Sequence, residues 1–198
     1  MATKSQTEEF GWVAVPRNRD NVPQESSTQA TSTTVSFDKL WPRTIVVKKA
    51  EEWTKARLPQ ETWNHSLRVY CYGTYALPVQ SSVLATDKMT GHTMVTQHFP
   101  SWIKADPEAF FETWALTCLF HDIASIREMR RMTHMSFEFQ GGFTALNQLQ
   151  AFGAPQAQAE SVCEAIIRHQ DPGETGTISR LGQLVQLATE FGELGRWH

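Results

Sequence analysis

The chain has 198 residues, a formal net charge of −3 and an isoelectric point of about 6.2, and its acidic and basic residues are interspersed. The sequence has no Lys/Arg stripe of the kind that follows a nucleic-acid backbone. No run approaches the ~18 apolar residues that a membrane span requires. We therefore expect a soluble protein of the cytoplasm or nucleus. The hydrophobic content of 40%, with seven Trp, is enough for one domain with a single core, whereas two ordinary domains would need a longer chain.

Residues 1–36 are rich in Ser, Thr, Gln and Asn, as in "PQESSTQATSTTVS". Such a segment offers little apolar surface to offset the entropy lost on ordering, which predicts a flexible N-terminal tail. The stretch "FGWVAVP" at 10–16 is an exception, because it is apolar enough to dock on the domain. The domain itself is expected over residues 37–198.

Two helices are predicted in the first part of the domain. "TIVVKKAEEWTKARL" has apolar residues at helical spacing, and "PQETWNHSLRVYCYG" opens with a proline, which a first turn tolerates. Trp63, Leu67 and Tyr70 would face the core from the second helix. Residues 74–104 then contain two prolines and a glycine without a helical period, which predicts an irregular insertion.

Helical patterns resume after the insertion. Asp106 and Pro107 form an N-cap and a first turn before "FFETWALTCLFHD", and Gly153 is expected to end the helix that contains "FTALNQLQAF". "AESVCEAIIRHQD" and "ISRLGQLVQLATEF" repeat apolar residues at i, i+4 and i+7. Clear strand alternation is missing, so the fold class expected is an all-α bundle.

The three cysteines, Cys71, Cys118 and Cys163, lie far apart in apolar helical contexts. An odd count without close spacing argues against a disulfide framework and against a thiolate zinc site. We therefore expect buried free thiols in a reducing compartment.

Three histidines and an aspartate lie within or just after apolar helical stretches: His65 in "WNHSLR", His121 and Asp122 in "LFHDIAS", and His169 in "IIRHQD". A single His on an apolar helix is more often a hydrogen-bonded core residue than a ligand. The adjacent His-Asp pair differs, because it joins two ligand types where a helix can end and both can reach one ion. Such ligands suit Zn²⁺, Fe²⁺ or Mn²⁺ rather than Ca²⁺, and an ion of this kind acidifies water into a nucleophile.

Five motifs along the chain resemble those of a known family. "NHSLRV", "WALTCLFHDIAS", "MSFEFQGGFTAL", "EAIIRHQD" and "LGQLVQLATEF", in this order, are similar to motifs of the cyanamide hydratases, which are HD-domain metalloenzymes. The resemblance covers about residues 40–73 and 105–191. An HD pair alone would be a weak signal, but the ordered run of five motifs is specific.

The resemblance implies an all-α fold, a single zinc ion and the hydration of a small molecule, cyanamide, to urea. It implies that His65, His121 and Asp122 hold the metal and that Asp122 also serves in catalysis. It places His169 in the pocket, where the imidazole would orient the substrate or move a proton to the nitrile nitrogen.

The sequence also departs from the family. Gly192 stands where the motif "QLATxxD" has its last metal carboxylate, and Glu190 and Glu193 are rotated from that position by about 200° and 100° around a helix. After the position of Gly73, members of the family run more directly from one helix to the next. Their sequences also continue beyond the position of His198. These departures predict a C-terminally truncated bundle, for which association into homo-oligomers stays open.

Two further interpretations stay open. One is an HD-domain phosphohydrolase, although Arg127, Arg130 and Arg131 are the basic residues near the pair and are equally typical of a solvated helix face. The other is a catalytically inactive helical scaffold, which Gly192 favours. The motif with Ser136, Glu138 and the pair Gly141 and Gly142 is interpreted as a helix boundary.

Overall fold

The computed structural model describes residues 3–23, 41–74, 99–103 and 105–194. Within these ranges the chain is mostly helical, which confirms the all-α expectation; the exception is a ribbon of two short antiparallel strands. The helices are α1 (Lys4–Glu9), α2 (Ile45–Lys55), α3 (Gln60–Thr74), α4 (Pro107–Phe120), α5 (Arg127–Arg131), α6 (Phe137–Phe152), α7 (Gln156–Arg168) and α8 (Arg180–Leu194), and the strands are β1 (Ala14–Pro16) and β2 (Thr177–Ser179). Short 3-10 turns lie at Arg19–Asn21, Pro100–Ile103 and Ile123–Ser125.

Helix α4 is the centre of the fold. The Asp106 side chain accepts a hydrogen bond from the Ala109 amide at 3.0 Å and Pro107 opens the helix, so the predicted start is confirmed. From Thr113 to Phe120 the helix is buried on all sides, as expected of a stretch that is apolar around most of its circumference. Trp114 lies at its middle with no exposed surface, and its Nε1 donates to the Tyr70 carbonyl of α3 at 3.2 Å. Helices α2, α3 and α7 pack around α4.

Helices α6 and α7 form a close pair. Gly153 has a φ of 97°, the left-handed conformation that glycine favours, and it ends α6 as predicted. Ser136 is the N-cap residue of α6, so the motif does contain a helix boundary, whereas Gly141 and Gly142 lie inside the helix and do not mark it. A Cβ on Gly142 would lie 2.7 Å from Ile167 Cγ1, which shows that the glycine lets the two helices approach.

The N-terminal segment packs on the bundle. Residues 10–16 dock as expected, because Phe10 and Val15 are buried and the Ser161 hydroxyl donates to the Phe10 carbonyl at 2.6 Å. Strand β1 pairs with β2 just before α8. Outside residues 10–16, residues Lys4–Glu9 form α1 and Val22 is buried, contacts that the expectation of a flexible tail did not include.

Parts of two expectations lie outside the described residues. These are the remainder of the expected tail, 1–2 and 24–36, and most of the expected insertion, 75–98 and 104. In the ranges that are described, no helix combines the length and the apolar character that crossing a bilayer demands.

The cysteines are free and buried, as the sequence predicts. Burial raises the pKa of Cys71 to about 12 and that of Cys163 to about 11, and it raises the pKa of Cys118 well above its ordinary value. Little thiolate, the reactive form, is therefore present at neutral pH.

We expect all three thiols of the folded protein to react with Ellman's reagent at least about tenfold more slowly than those of the chain unfolded in guanidinium. The measurement is the time course of absorbance at pH 8. One thiol that reacts as fast in the folded as in the unfolded chain would contradict the burial described here.

Candidate metal centre

Three helices bring the four predicted side chains together. Helix α3 carries His65, α4 ends at Phe120 and is followed by His121 and Asp122, and α7 ends directly before His169. The ligand atoms of His65, His121 and Asp122 all lie within 4.8 Å of one another, so these residues form a group that can hold a metal ion. Imidazole and carboxylate are a ligand set of first-row transition metals and zinc.

The Asp122 carboxylate is the common point of the cluster. Its Oδ2 lies 3.3 Å from His121 Nε2 and 3.6 Å from His65 Nε2, whereas its Oδ1 lies 3.8 Å from His169 Nε2. Two ligands at tetrahedral angles around one zinc ion are about 3.3–3.6 Å apart, given the usual bond lengths. The spacing of Oδ2 from the first two histidines therefore fits a shared ion, and His169 borders the other oxygen.

Backbone contacts determine the tautomers of two of the histidines. His121 Nδ1 lies 2.8 Å from the Cys118 carbonyl and His169 Nδ1 lies 2.7 Å from the Ile166 carbonyl. A carbonyl oxygen only accepts, so each Nδ1 carries a proton and donates it. When either ring is neutral, its lone pair is therefore on Nε2.

Both of these Nε2 atoms are buried without a hydrogen-bond partner and are directed towards the Asp122 carboxylate. Lone pairs that face a carboxylate repel it unless a proton or a cation lies between them. The buried nitrogens therefore fit a bound cation, and the Nδ1 contacts are the kind that orient histidine ligands of metals.

The electrostatics favour the metal-binding protonation states of Asp122, His65 and His169. Burial and the neighbouring His121 lower the pKa of His65 to about 4, and the same two causes lower the pKa of His169. Burial alone would raise the pKa of Asp122, but His121 holds it well below its ordinary value. At neutral pH the carboxylate is charged and these two imidazoles are neutral. Burial lowers the pKa of His121, but the Asp122 carboxylate raises it, and the net shift is upward. The carboxylate therefore stabilises positive charge beside this ring.

The other predicted candidates lie elsewhere. Arg127, Arg130 and Arg131 are exposed on or beside α5, as a solvated face predicts. Gly192 belongs to the last described turn of α8. Glu190 forms an ion pair with Arg19 at the surface, which agrees with the expectation that it does not replace the missing carboxylate; the side chain of Glu193 lies outside what the structure describes.

The sequence did not indicate the residues that hydrogen-bond to the backbone on either side of His169, at Arg168 and Asp171. Arg17 Nη2 donates to the Asp171 carbonyl at 2.8 Å and lies 2.6 Å from Asp171 Oδ2. From the other side, Gln186 Nε2 donates to the carbonyls of Arg168 at 2.6 Å and Asp171 at 3.1 Å. The one signal in the sequence is that Gln186 is a polar residue within the apolar repeat of α8.

Replacing Arg17 with Ala is expected to lower the free energy of unfolding by about 1–2 kcal/mol, because it removes two hydrogen bonds between charged or backbone groups. Arg19→Ala is the matched control: it removes an exposed ion pair from the same segment and is expected to cost less than about 0.5 kcal/mol. The measurement is urea unfolding followed by circular dichroism. Equal losses in the two variants would contradict a special role for Arg17.

The fold and the site together define a helical protein with a candidate transition-metal centre made of two histidines and an aspartate. No family model matches the chain. It is 31% identical to cyanamide hydratase DDI2 of Saccharomyces cerevisiae over 189 residues, which cover 94% of this chain and 72% of that protein. Cyanamide hydratase DDI3 of the same yeast matches with the same values. The chain therefore belongs to the cyanamide hydratase family, as its motifs predict.

Proposed function

We propose that this protein hydrates cyanamide to urea with a divalent ion, zinc in the first place, held by His65, His121 and Asp122. The observation that carries the proposal is the convergence of these donors beside two buried Nε2 atoms that lack hydrogen-bond partners. When bound, a divalent ion supplies the Lewis acidity that activates water for addition to the nitrile carbon. Catalytic zinc sites commonly use three protein ligands and keep one position open, so a carboxylate at Gly192 is not required.

His169 has the geometry to move the proton that hydration requires. As water adds, a carbon–oxygen bond forms, one π bond of the nitrile breaks and the nitrile nitrogen takes up a proton. The neutral ring presents an unprotonated Nε2 and keeps its Nδ1 proton on the Ile166 carbonyl. Nε2 can therefore accept a proton from water and deliver it to the nitrile nitrogen. Transfer of the hydroxyl proton of the resulting isourea to nitrogen gives urea.

Asp122 orients the site and balances its charge. The carboxylate faces the Nε2 atoms of all three histidines, with one oxygen towards the candidate ligands and the other towards His169. His169 thereby lies beside the residues that would hold the ion. This arrangement supports a role for Asp122 in catalysis as well as in metal binding.

The test is urea release from cyanamide by the purified protein and by His169→Gln. We expect the variant to lose about 10²–10⁴-fold in kcat, the usual size of a general acid–base contribution, while its metal content stays that of the unaltered protein. His134→Gln, which changes an exposed His outside the cluster, is the control and should keep full activity. A fully active His169→Gln variant would rule out proton transfer by this residue.

The two alternatives have less support. A phosphohydrolase needs cations to bind the phosphate, and the three arginines near the HD pair are exposed. An inactive scaffold has no need for two buried nitrogens without hydrogen-bond partners beside a shared carboxylate. The buried free thiols agree with a reducing compartment such as the cytoplasm or nucleus.

A further inference from the structure

We propose that Phe137 determines substrate size: its ring is the wall between an adjoining cavity and the His169 side of the metal centre, and it restricts the enzyme to small nitriles. This inference rests on the proposed hydration of cyanamide and names a residue that sets its substrate range. Phe137 is the first residue of α6 and is half-buried.

The cavity lies where α5 leads into α6 and has a volume of about 380 Å³. This is within the range of small-molecule pockets, which is about 300–1,000 Å³. Its lining combines the apolar side chains of Met129, Met135 and Phe137 with the polar ones of Arg130 and Glu138. Such a lining suits an alkyl or aryl group with a polar end.

The Phe137 ring contacts both the cavity and the His169 side chain. It lines the cavity, and its centroid lies 5.8 Å from that of His169 with the rings at 75°. The Arg130 guanidinium lies 5.9 Å from the same ring on the cavity side. Although a cavity of this volume is adjacent, the His169 side chain is only 1% exposed. Because Phe137 is the ring that both lines the cavity and touches the imidazole, removing it should expose His169 to the cavity.

Phe137 can affect specificity because it lies close to His169, the residue proposed to move the proton. His169 Nε2 lies 3.8 Å from Asp122 Oδ1, so the imidazole contacts both the Phe137 ring and the Asp122 carboxylate. A substrate that receives its proton from His169 therefore has Phe137 as a near neighbour. Cyanamide, with three heavy atoms, does not need the volume of the cavity, whereas an N-aryl group does, and Phe137 would keep it out.

The activity test compares cyanamide with N-phenylcyanamide. In Phe137→Ala we expect the ratio of kcat/KM for N-phenylcyanamide to that for cyanamide to rise at least about tenfold, which is within the usual effect of opening an apolar pocket. Phe137→Leu should give a smaller rise and guards against misfolding of the alanine variant. Phe139→Ala is the matched control, because Phe139 lies in the same helix, is 46% exposed and is not part of the cavity lining; its ratio should not change.

A second readout needs neither metal nor activity. Diethyl pyrocarbonate is applied to the chelator-treated proteins and carbethoxylation of His169 is followed by peptide mass spectrometry, with exposed His134 as the internal reference. We expect at least about tenfold faster labelling of His169 in Phe137→Ala than in the unaltered protein, and no change in Phe139→Ala.

The outcomes separate the two proposals. If the unaltered protein hydrates cyanamide and Phe137→Ala changes neither the substrate ratio nor the labelling of His169, Phe137 is not the wall. If no variant hydrates any nitrile, the proposed function fails, and the labelling of His169 alone still decides whether Phe137 separates the cavity from the imidazole.

Discussion

Replacing Asp122 with Asn is expected to lower the affinity for a divalent ion by at least about 100-fold, more than the 10–100-fold typical of residues that only support a ligand. The Asp122 carboxylate faces the Nε2 atoms of His65, His121 and His169 at 3.3–3.8 Å and supplies the negative charge of the cluster. Asparagine has nearly the same shape, so the loss measures charge and ligand strength rather than packing. Isothermal titration of the metal-free protein with zinc gives the affinity.

Asp20→Asn is the control for this substitution. Asp20 is a carboxylate with 85% of its side chain exposed, on a segment remote in sequence from the cluster. The control should bind zinc as the unaltered protein does. If Asp122→Asn bound zinc with unchanged affinity, Asp122 would not be a ligand and the cluster would not be the metal site.

Replacing Trp114 with Ala is expected to lower the free energy of unfolding by about 3–5 kcal/mol, the cost of deleting a fully buried aromatic side chain. Trp114 is 0% exposed at the middle of α4, and it also donates to the Tyr70 carbonyl of α3. A loss of this size is a large fraction of the 5–15 kcal/mol that stabilises an ordinary domain. Urea unfolding followed by circular dichroism gives the value.

Phe139→Ala is the matched control, since it deletes an aromatic ring that is 46% exposed. Surface changes of this kind usually cost less than about 1 kcal/mol. Trp114→Phe, which keeps most of the buried volume, should lie between the two. Similar losses for Trp114→Ala and Phe139→Ala would contradict the central position of α4.

Local signals predicted the helices well because their causes are local. The N-cap of Asp106 and the proline that follows satisfy and shape the first turn of α4 without help from the rest of the chain. Gly153 ends α6 for a similar reason, since its left-handed conformation depends on the missing side chain alone. Each of these positions needs only residues within one turn.

Features that depend on contacts distant in sequence were not predictable in the same way. Composition favoured flexibility for residues 17–23, yet Arg17 contacts Asp171 and Val22 is buried. Gly142 resembled a boundary glycine, whereas its actual reason is the approach of Ile167 from the neighbouring helix. Such reasons exist only once the helices have packed.

The candidate site was predictable in its members but not in its geometry. The HD pair and the flanking motifs indicated His65, His121, Asp122 and His169, and the structure brings these four together. Their spacing around one carboxylate and the tautomers of two rings depend on how three helices end. No sequence pattern specifies such angles, and none indicated that Phe137 contacts His169.

The most direct test of the account is the metal content of the purified protein, measured by elemental analysis beside His121→Ala. Since His121 Nε2 lies 3.3 Å from Asp122 Oδ2 and is buried without a hydrogen-bond partner, we predict about one zinc, iron or manganese per chain in the unaltered protein and a loss of that ion in the variant. The same low metal content in both proteins, after purification without chelators and incubation with each metal, would contradict the metal centre and leave the helical scaffold without the proposed chemistry.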